Sequence, residues 1–126
     1  MDSDHSRKLA ERVVQAINDR DYSQIDQLAA SDVQLRMPPR QVFYGRDGMR
    51  EFFAMLEARL PTLTLTARKV HAGDGFAVVE YEGVAPTPGG EVDGMGALVL
   101  ELDGESVQRV QLYVDTAQWE QLQSSQ

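Results

Sequence analysis

The feature that most constrains this chain is a change of period near its middle. Up to about residue 60 the apolar residues recur at helical spacing, and after Pro61 they alternate. Leu9, Val13 and Ile17 share one side, with Arg7, Lys8, Glu11 and Arg12 on the other, so the spacing predicts an amphipathic helix from about Ser6 to Arg20. Asp21-Tyr22-Ser23 restarts the chain as a cap, and Ile25 with Leu28 makes a short second helix. Gly45-Arg46-Asp47-Gly48 opens a third, whose apolar face of Met49, Phe52, Phe53, Leu56 and Leu60 needs a broad surface to lie against. Strands supply that surface. Val33 to Met37 alternates and is closed by Pro38-Pro39; Leu63 to Ala67, Phe76 to Tyr81, Ala97 to Leu102 and Val107 to Val114 follow. The last two join around Asp103-Gly104, a tight-hairpin dipeptide. Ala72-Gly73-Asp74-Gly75 is turn chemistry, and Pro86-Thr87-Pro88-Gly89-Gly90 reads as a loop. Asp115-Thr116-Ala117-Gln118 has capping-box spacing and starts a last helix from about Thr116 to Leu122.

Helices first and an antiparallel meander second is the α+β pattern, with the helices gathered on one face of the sheet. A strongly curved antiparallel sheet beneath three helices becomes a cone with an internal cleft. The 126 residues hold no repeat and no linker. They predict a single domain over 1–126, with an ordered core of about 6–123.

Charge and composition exclude several partners. Twenty acids against twelve Lys plus Arg give a net charge of -8, unsuited to a phosphate backbone or an anionic bilayer. No nucleic acid and no membrane are expected as partners. No apolar run approaches the roughly 20 residues that span a bilayer, and Met1-Asp2-Ser3-Asp4-His5 lacks the features of a signal peptide. A cytoplasmic protein is the expectation. There is no cysteine, hence no disulfide, thiolate nucleophile or Cys-ligated zinc. His5 and His71 have no second ligand at metal spacing, so no metal is expected. No Gly-rich phosphate cradle or Gly-x-Ser-x-Gly elbow is present, and no cofactor is expected.

Four motifs in order carry a resemblance. Asn18-Asp19-Arg20-Asp21, Gly45-Arg46-Asp47-Gly48-Met49-Arg50-Glu51-Phe52-Phe53, Asp103-Gly104 and Tyr113-Val114-Asp115 resemble the SnoaL-like branch of the nuclear transport factor 2-like superfamily, from about Leu9 to Leu122. The resemblance implies a conical α+β barrel, a deep and mostly apolar pocket, and a homodimer formed through the sheet. The superfamily holds polyketide cyclases, ketosteroid isomerase, limonene epoxide hydrolase and binding-only members, so the fold does not choose a reaction. The acid, base and donor positions of the cyclases and the isomerase fall here on Leu112, Ala97, Met37 and Val13, all apolar. Their mechanisms do not carry over. Met37-Pro38-Pro39 with Tyr44-Gly45-Arg46-Asp47 resembles the epoxide hydrolase locally, and its water-holding positions would be Arg36 and Gln34. Its final catalytic acid falls on Leu112.

What chemistry remains must come from other residues. Glu80 and Glu82 lie two apart on a strand and point to one face. Inside a pocket they would share a low-dielectric site and one would act as an acid or base; on the opposite face, with Val79 and Tyr81 inward, they are solvated. Tyr44 and Tyr81 can each aim a hydroxyl into the cleft or serve as core tyrosines. Asp93, after the Pro-Gly-rich loop, falls near the expected pocket mouth. Asp115 reads as a helix cap sooner than as an acid. Gln34, Arg36, Arg109 and Gln111 fall on the outer sheet face, where they suit the polar part of a dimer interface.

The candidate lining is apolar: Val13, Ile17, Leu35, Met37, Phe43, Phe52, Phe53, Leu56, Ala97, Val99, Val110 and Leu112, with Met55 beside them. These residues predict a cavity for a small hydrophobic ligand of polyketide or terpenoid type. Any reaction would be a cofactor-free cyclisation, isomerisation or hydration resting on Glu80, Glu82, Tyr44 or Asp93. A non-catalytic dimerising or ligand-sequestering module is the alternative, and an epoxide-hydrolase-like enzyme using Arg36 and Gln34 is a second one.

Overall fold

The computed structural model describes residues 2–38, 40–87 and 90–114. Its elements are α1 (Ser3–Asp19), α2 (Tyr22–Leu28), β1 (Ala29–Met37), β2 (Gln41–Tyr44), α3 (Gly45–Arg59), β3 (Thr64–Gly73), β4 (Phe76–Thr87), β5 (Gly90–Asp103) and β6 (Ser106–Tyr113). The cap at Asp115 and the last helix from Thr116 lie outside the described residues.

Local chemistry sets the helix ends. Asp2 accepts from the His5 N–H at 2.8 Å and so starts α1 before the expected Ser6. Arg20 ends it in the left-handed region at φ 58°, with its N–H on the Ile17 carbonyl. Asp21 then caps α2 through the Gln24 N–H at 3.1 Å. α1 buries Leu9, Ala10, Val14, Ala16 and Ile17, leaving Val13 half-buried at the side of the apolar stripe.

The strands form one six-stranded sheet in the order β2-β1-β6-β5-β4-β3. Every pair is antiparallel except β1 with β6, which run parallel. The antiparallel expectation is corrected at that one seam, because alternation reports which face a side chain takes and not which way a neighbour runs. Strand β2 has no counterpart in the sequence pattern; it is a short edge strand that follows the turn after Pro38. The loop expected at Pro86 to Gly90 is shorter, since β4 continues to Thr87 and β5 begins at Gly90. Between β5 and β6, Asp103 pairs with Ser106, and Gly104 takes the positive φ (62°) that a two-residue hairpin loop demands of its first position.

Register shifts within β1–β6, β3–β4 and β5–β6 bend the sheet. α1 packs on β3 and β4, α3 on β1 and β2, and α2 meets β1 and β6. This is the α+β arrangement of a curved sheet closed by three helices on one side. The core lies between the two layers, with Leu9, Val33, Val79 and Leu100 essentially without solvent contact. Among the described residues no helix is long and apolar enough to cross a membrane.

Candidate functional site

Alternation along each strand decides what faces the helices. Val33, Leu35 and Met37 of β1, Val79 and Tyr81 of β4, Leu98 and Leu100 of β5, and Val110 of β6 are buried, while their neighbours turn outward. Between these side chains and the helices lies a cavity of about 150 Å³. Of the candidate lining residues, Val13, Ile17, Leu35, Met37, Phe52, Phe53, Leu56, Val110 and Leu112 border it. Ile25, Leu28, Met49, Leu60, Leu63, Leu65, Leu98 and Val114 line it too. Asp93 and Met95 are exposed yet border the same space, so the mouth lies at this part of β5.

Phe43, Ala97, Val99 and the neighbouring Met55 do not border it. Phe43 stands behind Phe52, edge to face with ring centroids 5.5 Å apart. Ala97 and Val99 belong to the opposite sheet face: Ala97 pairs with Glu80 and Tyr113, Val99 with Val78 and Gln111. With a period of two, the inward residue between them is Leu98. A lining built on that parity would have found Leu98 and Tyr81.

The carboxylates proposed for catalysis do not share a site. Glu80 and Glu82 lie on the outer face, each with its own partner: Glu80 with the His71 Nε2 at 2.5 Å and Glu82 with the Arg68 Nη2 at 2.6 Å. The bond from His71 holds the Glu80 carboxyl below its ordinary value. That is opposite to the rise a pocket carboxylate would show. Arg109 pairs with Glu101 at 3.0 Å on the same outer face, and Gln34 and Arg36 are exposed outside the cavity lining. Tyr44 is 68% exposed and borders a shallow outer groove with Asp47 and Glu51. Of the four candidate acid–base residues, Asp93 alone reaches the cavity.

Tyr81 is the polar group that the cavity wall does contain. Its side chain is buried at 8% exposure, and its hydroxyl donates to the Tyr113 carbonyl at 3.4 Å. Burial pushes the phenol up to about 12, so it stays protonated. Its cross-strand neighbour is Gly96, where a side chain would collide with the Tyr81 hydroxyl and the Tyr113 carbonyl. The glycine is what makes room for the phenol head.

A second polar cluster braces the rim. Asn18 donates to the Leu65 carbonyl and accepts from the Leu65 N–H, both at 2.8 Å. Arg20 donates to the carbonyls of Ile17, Pro61 and Leu63 and pairs with Glu57 at 3.0 Å. Tyr22 donates to Glu57 at 2.8 Å, and burial with that bond raises its phenol. The Asn18-Asp19-Arg20-Asp21 motif therefore works as a clasp between α1, α3 and the start of β3. Among the described residues no three His, Asp or Glu side chains gather as a metal site would require.

A curved sheet closed by three helices over an oily hollow defines a nuclear transport factor 2-like protein. The likeness extends to sequence. Residues 10–110 match the SnoaL-like domain, and the chain belongs to that family. No curated protein matches the sequence. Solved structures share the fold at low identity. A protein of Jannaschia sp. CCS1 described as a SnoaL-like polyketide cyclase superimposes with a TM-score of 0.87 at 15% identity, covering 98% of this chain and 94% of that one. A protein of Kribbella flavida DSM 17836 described as a ketosteroid isomerase gives 0.79 at 22% identity, covering 90% and 79%. An LEH-like epoxide hydrolase of M. tuberculosis gives 0.80 at 12% identity, covering 95% and 90%. Proteins described by three different reactions share this backbone, so the fold leaves the choice to the side chains.

Proposed function

We propose that this SnoaL-like protein binds a compact hydrophobic molecule in the space between sheet and helices. The observation that carries this reading is the lining: a hollow of about 150 Å³ whose described walls are aliphatic and aromatic apart from Tyr81 and Asp93. Dry apolar cavities of about this size accept guests the size of benzene. A drug-sized ligand needs roughly 300 Å³ or more. The ligand is therefore one ring or one branched isoprenoid-sized unit, smaller than a polyketide. Cyclase and isomerase neighbours support a small-molecule role for the cavity. Its lining supports retention of the ligand more than turnover, since acid–base catalysis needs a positioned proton carrier beside the reacting atom. Asp93 at the mouth supports a second reading, a cofactor-free isomerase or cyclase.

The test is displacement of the guest by added side-chain volume. Benzene or toluene is titrated by ligand-observed NMR into the wild type and into Val110→Phe, which places a ring in the hollow. Saturable binding to the wild type, weakened at least tenfold in a folded Val110→Phe, is the expected result. Equal binding to both, or none to the wild type, overturns the reading.

The outer sheet face supports the second partner, another copy of this chain. Phe76, Val84 and Tyr113 are exposed large apolar side chains on strands of that sheet, among ion pairs that two copies could cover together.

A further inference from the structure

We propose that Tyr81 selects ligands carrying one hydrogen-bond-accepting oxygen, so that the compact guest is a small cyclic ketone or a similarly shaped carbonyl compound. This rests on the cavity reading above and names the chemistry within it. Among the described lining residues, Tyr81 is the one side chain with an O–H or N–H to give. Its present acceptor, the Tyr113 carbonyl, is 3.4 Å away, where a good O–H···O bond measures about 2.7–2.8 Å. The phenol is thus satisfied weakly and can turn its proton to a nearer oxygen. Its head occupies space that Gly96 leaves empty, so a bonded guest would be held against β4 and β5 near the exposed mouth residues Asp93 and Met95. Apart from Asp93 at the mouth, the rest of the described wall is apolar, which strengthens the preference. A polar group elsewhere on the guest would be stranded without a partner. The phenol is a donor across the whole physiological range, and burial moves its ionisation further above that range.

Cyclohexanone and methylenecyclohexane test this, since they share a shape and differ in one acceptor. Both are titrated by NMR into the wild type and into Tyr81→Phe. The ketone should lose roughly threefold to tenfold in affinity in the variant while the alkene changes by less than about twofold, the size expected of one uncharged hydrogen bond. An equal shift for both probes, or none for the ketone, overturns the assignment and leaves the cavity reading intact. Absence of binding by either probe to the wild type overturns both. Should Tyr81→Phe fail to fold, the infrared carbonyl stretch of cyclohexanone bound to the wild type decides. A shift to lower frequency relative to the ketone in hexane supports the bond, and an unshifted band refutes it.

Discussion

Replacing Asn18 by alanine removes a clasp that no other described residue duplicates in kind. β3 is an edge strand, paired with β4 on one side only, and at Leu65 its free N–H and C=O both turn to the Asn18 amide. Asn18 thus acts as a single-residue substitute for a missing strand. Each bond is worth about 1 kcal/mol net, and truncation leaves two part-buried backbone groups without partners, so the loss comes to about 2–3 kcal/mol. A chain of 126 residues unfolds with an entropy near 2.1 cal/mol/K per residue, which converts this to a melting temperature lower by about 8–11 °C. Circular dichroism gives the melting temperature, and hydrogen exchange gives the Leu65 amide. That amide should lose at least tenfold in protection while Leu100 and Val79 in the sheet centre exchange only as fast as the lower global stability requires. A melting temperature within about 2 °C of the wild type, with Leu65 protection unchanged, would refute the account of the edge.

The pairing of Glu80 with His71 has a pH signature. Because the folded carboxyl sits below its ordinary value of 4.5, its contribution is present above that value and fades as pH falls through the lowered one. The melting difference between wild type and Glu80→Gln should therefore shrink as pH is taken from 6 to below 4; a difference that grows would contradict the geometry. Glu80→Gln and Glu82→Gln should leave toluene affinity within twofold of the wild type by NMR, since both carboxylates face away from the cavity; a tenfold loss in either would place them in it. Light scattering at micromolar concentration should report about twice the 14.0 kDa chain mass, and a particle of 14.0 kDa would exclude the sheet-face dimer.

The order of periods along the chain determined the architecture. A helical first half and an alternating second half can bury their apolar faces together in few ways, and four spaced motifs narrowed those to one family. Parity along β1 and β6 was legible as well: Leu35, Met37, Val110 and Leu112 face the cavity, and Gln34, Arg36, Arg109 and Gln111 stand outside its lining. Along β4 and β5 alternation does not fix the inward face, because both strands carry apolar residues on each face over Ala77–Val79 and Ala97–Leu100. Cross-strand register settled it by placing Ala97 opposite Glu80 and Leu98 opposite Val79. Other decisions belonged to tertiary structure alone. The parallel seam between β1 and β6 joins strands far apart in the chain, and no local pattern encodes direction. The size of the hollow is the small remainder after large side chains interlock, so a list of lining residues cannot give it. The roles of Asn18 and Tyr81 depend on partners at Leu65 and Tyr113, which only the folded chain brings within hydrogen-bonding distance.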